Sequence, residues 1–337
     1  MATPGGRNGF TPDHSLSRVV SEAILSERGD DFPSTNQSMP SAPAARLMRA
    51  ATYASVAVAV TLIGVKIVAW LLTDSVSLLS TLIDSLLDLA ASLINLVAVR
   101  HALTPPDREH RFGHGKAEPL AALGQSTFIA GSAIFLVIEA IRRFYTPRAV
   151  EYAEVGIGVM VFAIVITFAL TRFQAHVVRK TGSLAIKADS LHYIGDLLVN
   201  AAVIVALLLA TKLGWLYADP LIGLAIAAYI LKSAWNIAKG AYDMLMDREL
   251  PDEDRARIKQ IVLDHGEVIA LHDLRTRASG PLMFIQVHIE MDGNMNLYRA
   301  HAVADDVEAQ LREAFPGAEV IIHQDPHGIE EDRASFA

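Results

Sequence analysis

Two apolar stretches of the sequence carry ionisable residues at a spacing that suits metal chemistry. Leu82-Ile83-Asp84-Ser85-Leu86-Leu87-Asp88 and Leu191-His192-Tyr193-Ile194-Gly195-Asp196 each place a pair of them at i and i+4. On a helix that spacing sets both members on one face, about one turn apart. If the two faces meet, Asp84, Asp88, His192 and Asp196 offer three carboxylates and an imidazole, a four-coordinate set suited to a divalent first-row metal. Ionisable groups within a membrane span are costly and mark ion pathways, although the same pairs could instead bond one another and fix helix packing. Metal and protons compete for such donors, because ligands bind metal in their deprotonated forms. A site of this kind, open alternately to each side, exchanges metal for protons.

Two further clusters have ligand chemistry. In Asp107-Arg108-Glu109-His110-Arg111-Phe112-Gly113-His114, the residues Asp107, His110 and His114 could hold a metal near the membrane surface, with Glu109 or Glu118 as substitutes; an ordinary solvated loop is the competing reading. Near the C-terminus, His272, His288, His301, His323 and Asp325 lie close in sequence to His265 and His327, an unusual density of histidine for so short a segment. His272 and His288 fall on adjacent expected strands and His323-Gln324-Asp325 ends another, so these donors could converge at one sheet edge.

The elements that must position these residues are legible from composition. The chain has 337 residues, 52% of them hydrophobic and 20% charged, and a mean hydropathy of +0.33, which is too apolar for a soluble chain of this size and implies several membrane spans. Six apolar stretches of helix-spanning length are expected at about 47–72, 76–101, 117–145, 153–178, 188–211 and 217–240, within a membrane domain of residues 44–247. The 102–116 loop and the basic stretch 179–187 are among the polar breaks. Residues 1–43 read as a disordered cytosolic tail without the apolar run of a signal peptide, with a transient helix at most over 17–27. Residues 248–327 read as helix, strand, strand, helix, strand: the acidic start Pro251 to Asp254 suits a helix N-terminus, and Met283, Ile285, Val287 and Ile289 alternate with Phe284, Gln286, His288 and Glu290 as on a sheet with one buried face. Residues 328–337 are expected to be a flexible tail.

The fold class is therefore a polytopic α-helical membrane protein with six transmembrane helices and a C-terminal cytosolic α+β domain. An even number of spans puts both termini on one side. Arg100, Arg108, Arg111, Lys116, Arg172, Arg179, Lys180 and Lys187 make that side the cytosol, although Arg142, Arg143 and Arg148 dilute the asymmetry. The absence of cysteine excludes disulfides, thiolate metal sites and cysteine nucleophiles, and the net charge of −8 argues against a nucleic-acid partner. No nucleophile elbow, Walker loop or dinucleotide fingerprint is present, so neither an enzyme nor an organic cofactor is expected.

Over roughly residues 45–327 the chain resembles the cation diffusion facilitator family, in its bacterial zinc and ferrous-iron efflux branch. The resemblance rests on Ser75-Val76-Ser77-Leu78-Leu79 leading into Asp84 and Asp88, Phe112-Gly113-His114-Gly115-Lys116-Ala117-Glu118, and His192-Tyr193-Ile194-Gly195-Asp196. In the C-terminal part it rests on His272-Asp273-Leu274-Arg275-Thr276-Arg277 and Ile321-Ile322-His323-Gln324-Asp325-Pro326. It implies a homodimeric metal-cation/proton antiporter of the cytoplasmic (inner) membrane that exports Zn²⁺ or a similar ion, with Zn²⁺ also bound in the cytosolic domain. By the resemblance, Asp84, Asp88, His192 and Asp196 are the transport site and Asp107, His110 and His114 a second site. His272, His288, His301, His323 and Asp325 form a binuclear site in a ferredoxin-like domain that dimerises, and Lys116 with Asp247 makes a charge pair that locks the dimer. A membrane-anchored metal sensor and a cation channel are the alternatives; paired carboxylates within the spans speak against a bare anchor, and tight four-ligand binding against a fast pore.

Overall fold

A computed structural model describes residues 42–73, 76–145, 154–213 and 217–329. The expected tail with its short helix at 17–27 and residues 330–337 of the expected C-terminal tail lie outside the described residues. Helix α1 runs Ala42–Thr73, α2 Val76–Ala102, α3 Ala117–Tyr145, α4 Glu154–Thr181, α5 Leu184–Leu213 and α6 Ala218–Leu245. All six are long and apolar enough to cross a membrane. Each overlays one expected span, and several extend past it at polar ends. Helix α1 begins before Arg46 and Arg49, because long basic side chains can reach the interface from a helical backbone.

The same effect corrects the expected basic break at 179–187. Helix α4 continues through Arg179 and Lys180, and α5 opens before Lys187. Only Gly182 and Ser183 separate them. Gly182 takes a left-handed backbone (φ +67) and its N–H donates to the Val178 carbonyl at 2.8 Å, a glycine helix stop. Ser183 Oγ accepts the Ile186 N–H at 3.2 Å, capping the next helix.

Alanines let the helices approach closely. Ala122, Ile129 and Ala133 of α3 pack with Ala188 and Leu191 of α5 and Ile230, Ala234, Ile237 and Ala241 of α6. A buried polar network crosses five helices. Asp189 of α5, 1% exposed, accepts hydrogen bonds from Ser55 Oγ of α1 (2.5 Å), Gln125 Nε2 of α3 (3.2 Å) and Gln174 Nε2 of α4 (2.7 Å). Tyr193 Oη donates to the Ser55 carbonyl at 3.2 Å and lies 2.9 Å from Ser92 Oγ of α2. Where water is absent, each such group must find a partner inside the protein, so the network fixes how these helices are assembled.

Beyond Leu250 come α7 (Asp252–Leu263), β1 (Ala270–Ser279), β2 (Leu282–Met291), α8 (Leu297–Ala314) and β3 (Ala318–Pro326), the expected order. The sheet runs β1-β2-β3, with β1 antiparallel and β3 parallel to β2. Ile285, Val287 and Ile289 of β2 are fully or almost fully buried against Ile258 and Val262 of α7 and Val303, Val307 and Leu311 of α8. The opposite face of β2 is not uniformly solvated, as simple alternation would have it. Phe284 is also buried, with the Phe112 ring edge-on at 6.0 Å and the Arg277 guanidinium 4.4 Å from its ring centroid.

The membrane helices and the sheet domain meet backbone to backbone. A Cβ on Gly115 would fall 2.0 Å from the Ser279 carbonyl, and one on Gly280 would fall 2.5 Å from the Gly115 carbonyl. Gly280 also has φ +58, and its N–H donates to Met244 Sδ at the end of α6.

Candidate metal centres

Helices α2 and α5 bring the two i, i+4 pairs face to face. His192 Nε2 lies 2.9 Å from Asp88 Oδ1 and 3.9 Å from Asp196 Oδ2, and one ligand atom from each of the three residues falls within 4.8 Å of the others. Asp84 stands outside that group of three but lines the same cavity of about 640 Å³, together with Asp88, His192 and Asp196. Phe128 and Ile129 of α3 and Ile230 of α6 line it as well. His192 is buried and Asp88 and Asp196 are half-buried, whereas Asp84 is exposed, so the donors run from a buried imidazole to an exposed carboxylate.

Two ionisable residues close to this cavity escaped the sequence reading. Lys66 of α1 donates to Ser85 Oγ at 2.6 Å, and Ser85 sits between Asp84 and Asp88 on α2. Asp189 lies one turn before His192 and anchors the polar network. Both were detectable, because each is a charged residue within an apolar span; neither belongs to an i, i+4 pair.

The loop donors converge at the end of the bundle shared with the sheet domain. His114 Nε2 is 3.3 Å from Asp107 Oδ2, His110 Nδ1 is 3.4 Å from Asp107 Oδ1, and the three ligand atoms lie within 4.8 Å of one another. Asp107 Oδ1 also accepts the backbone N–H groups of His110 (2.7 Å) and Glu109 (2.9 Å), and these bonds hold its carboxyl below the usual carboxylate range. The His101 ring lies tilted against His114, with centroids 4.4 Å apart, a neighbour that sequence spacing did not single out. Glu118, expected as a substitute ligand, is not in this group of three, and its buried Oε2 has no aligned hydrogen-bond partner. It is buried, and its Oε1 accepts the Ala185 N–H at 3.4 Å in the first turn of α5. Glu109 is exposed.

In the sheet domain, register does what strand prediction could only suggest. His272 pairs with His288 across β1 and β2, and His288 pairs with His323 across β2 and β3, so one row of three histidines crosses the sheet. Asp325 reaches all three: its carboxylate is 2.9 Å from His288 Nδ1, 3.1 Å from His323 Nε2 and 3.4 Å from His272 Nε2. Glu290, in register with Asp325, lies 3.0 Å from His272 Nδ1 and 2.8 Å from His327 Nδ1. Sequence spacing had not placed Glu290 in the cluster. Both ring nitrogens of His272 are buried near carboxylates without an aligned hydrogen bond, which fits a side chain set to bind an ion. The positive φ of Asp273 (+47) accompanies a bulge between His272 and Arg275 that shifts the pairing register there. His301 does not join the cluster. It is exposed on α8, 3.5 Å from Asp305 one turn on.

Lys116 and Asp247 meet within one chain, Nζ to Oδ1 at 2.9 Å, and Arg277 Nη1 reaches the same oxygen at 3.3 Å. Partial burial pushes Asp247 up, but the bonds and charges of Lys116 and Arg277 outweigh it and hold the carboxyl below its usual range.

A bundle of membrane-length helices enclosing carboxylates and imidazole, joined to a histidine-lined sheet, is the architecture of a metal-ion transporter. The chain matches the cation efflux transmembrane domain over residues 52–246 and the cation efflux protein cytoplasmic domain over residues 250–327, and it belongs to this cation efflux family, the cation diffusion facilitators. The cation-efflux pump FieF of Klebsiella pneumoniae is 50% identical over 284 residues, covering 84% of this chain and 94% of the relative. FieF of Salmonella choleraesuis is 51% identical over the same length and shares, and that of Pectobacterium atrosepticum 50% identical over 282 residues, 84% of this chain and 94% of the relative. A solved structure described as the putative zinc transporter CzrB is 36% identical, covering 23% of this chain and 99% of its own, with a TM-score of 0.23. Its zinc form is 34% identical over 26% and 99%, with a TM-score of 0.24. The chain is a multi-pass membrane protein of divalent-cation efflux.

Proposed function

We propose that this chain exports Zn²⁺ from the cytosol across the cytoplasmic membrane in exchange for protons, working as a homodimer. Cd²⁺ and Fe²⁺ are alternative cargo of the same donor class. The observation that carries this reading is the convergence of Asp88, His192 and Asp196 on one cavity inside the helix bundle, with Asp84 on its wall. Imidazole with carboxylates suits Zn²⁺ by ligand type. Ligands that bind metal deprotonated give up the ion when protons return, and a site alternately open to each side turns that competition into antiport.

The end of the bundle that carries the sheet domain also carries Arg100, Arg108, Arg111, Lys116, Arg179, Lys180 and Lys187, which supports a cytosolic location for it and for both termini. At the other end Arg142 and Arg143 pair with Glu139 and still dilute the asymmetry, which rests on the larger number of cations at the sheet-domain end. In the cytosolic domain His272, His288, His323 and Asp325 would hold resident Zn²⁺, with Glu290 beside them. His301, exposed on α8, would be available to a second copy in such a dimer.

The test is Zn²⁺ flux in liposomes under an imposed pH gradient, comparing the wild type with Asp88→Ala and Asp196→Ala. Saturable, pH-driven flux lost in both variants is the expected result. Flux indifferent to the gradient, or binding without flux in the wild type, would overturn antiport and favour a channel or a sensor respectively.

A further inference from the structure

Lys66 places a cation inside the membrane beside an otherwise acidic cavity. It lies on α1 two turns before the helix ends at Thr73, half-buried, with its ammonium on Ser85 Oγ at 2.6 Å. Ser85 is itself 1% exposed and lies between Asp84 and Asp88, so this hydrogen bond fixes the ammonium on the α2 face that carries both carboxylates. Asp84, Asp88 and Asp196 are all within its electrostatic range. Residues that reach into the hydrocarbon region with a charge need a reason to be there, and the nearby carboxylates supply one for Lys66.

From this geometry we infer that Lys66 is a tethered cation that sets the strength of the intramembrane metal site. The inference rests on the transport-site reading above. Three ionised carboxylates, one ammonium and one divalent ion sum to zero charge, whereas without the ammonium the loaded site keeps a net negative charge in a low-dielectric setting. The ammonium also repels the bound ion. It therefore weakens metal binding to a level from which the ion can leave, which a transporter needs and a storage site does not. Ser85 holds the ammonium at a fixed distance, so that it stays beside the metal without replacing it. Lys66 is a positioning residue for charge and touches no metal itself.

The experiment titrates ZnCl₂ into the purified full-length protein by calorimetry, with the isotherm of Asp88→Ala subtracted to isolate the membrane site, and measures liposome flux on the same preparations. Lys66→Gln keeps a donor for Ser85 and removes the charge. It should bind Zn²⁺ about tenfold tighter or more, by the size of a Coulomb term between groups several ångströms apart at the intermediate dielectric of a protein site, and should turn over more slowly. Lys66→Arg should restore affinity and turnover to near the wild type. A purely structural lysine would give weaker or unchanged Zn²⁺ binding in Lys66→Gln, and either result overturns the inference. If Lys66→Gln does not fold, Lys66→Met is the second neutral variant; failure of both to fold while Lys66→Arg folds would also overturn it. Should Asp88→Ala remove no binding event from the wild-type isotherm, the transport-site reading fails first, a result distinct from an affinity in Lys66→Gln that does not rise.

Discussion

Replacing His192 by aspartate would turn the membrane cluster into an all-carboxylate set, because His192 is the imidazole that Asp88 and Asp196 face at 2.9 and 3.9 Å. Hard oxygen donors favour Mn²⁺ relative to Zn²⁺ or Cd²⁺. His192→Asp should therefore shift the ranking of transported metals toward Mn²⁺ in a flux assay, and an unchanged ranking would show that His192 does not set selectivity. At Asp247 the relevant variable is pH. Its folded-state pKa lies below the unfolded one, so the stability it contributes is present above the unfolded carboxylate range, near pH 4, and is lost as pH falls through the lower folded value. Asp247→Asn should thus cost the same at pH 6 and pH 8, less than about 1 kcal/mol given how exposed the pair is to solvent, and cost nothing in strong acid. Thermal unfolding across that range checks the sign. The donors of the membrane cluster were legible because paired charges in apolar sequence have few bland explanations. Lys66 and Asp189 were passed over because their partners, Ser85 for one and Ser55, Gln125 and Gln174 for the other, lie on different helices, and helical spacing reports only neighbours on the same one.

Among the elements, the boundary between α4 and α5 depends on two residues. Ser183→Ala removes the side-chain acceptor for the Ile186 N–H and should lower stability by about 1 kcal/mol. The sequence motif Thr181-Gly182-Ser183 contains that stop and start, but the cluster of cations around it argued for a loop, and it took the backbone to show helix on both sides. Strand β2 was easier, since Ile285, Val287 and Ile289 alternate cleanly. Ile289 is fully buried, and Ile289→Ala should destabilise the sheet domain by about 2–5 kcal/mol through lost burial and the cavity left behind. Chemical denaturation followed by far-ultraviolet circular dichroism would register it as an early loss of the sheet signal. What alternation could not show is why Phe284 is buried on the other face, because its cover, Phe112, comes from the loop between α2 and α3.

For the whole molecule, the histidine row across β1, β2 and β3 should make metal a stabiliser of the folded chain. An ion held at a thousand times its Kd adds about 4 kcal/mol to folding. Stripping metal with a chelator should lower the unfolding temperature of the wild type, and His288→Ala, which removes the histidine central to that row, should lose most of the response. Equal chelator sensitivity in both proteins would move the stabilising ion to another site. The order of spans was readable from hydropathy, and the helix–strand–strand–helix–strand domain from its acidic helix start and the alternation along β2. How the two halves are joined was not, because the closest approach at the joint is between backbone atoms of Gly115, Ser279 and Gly280, which have no hydrophobic pattern to read, and the side chains around it, such as Phe112 on Phe284, are far apart in sequence.

That joint limits how the protein can be cut and recombined. Where two chains touch through side chains, a mismatch can be absorbed by rotamer changes, but two abutting backbones leave no slack. A chimera that takes its spans from this chain and its sheet domain from a relative would inherit the fit only if the 112–118 loop and the 277–284 hairpin came from the same parent. Those two short segments, about 160 residues apart in sequence, behave as a single heritable part.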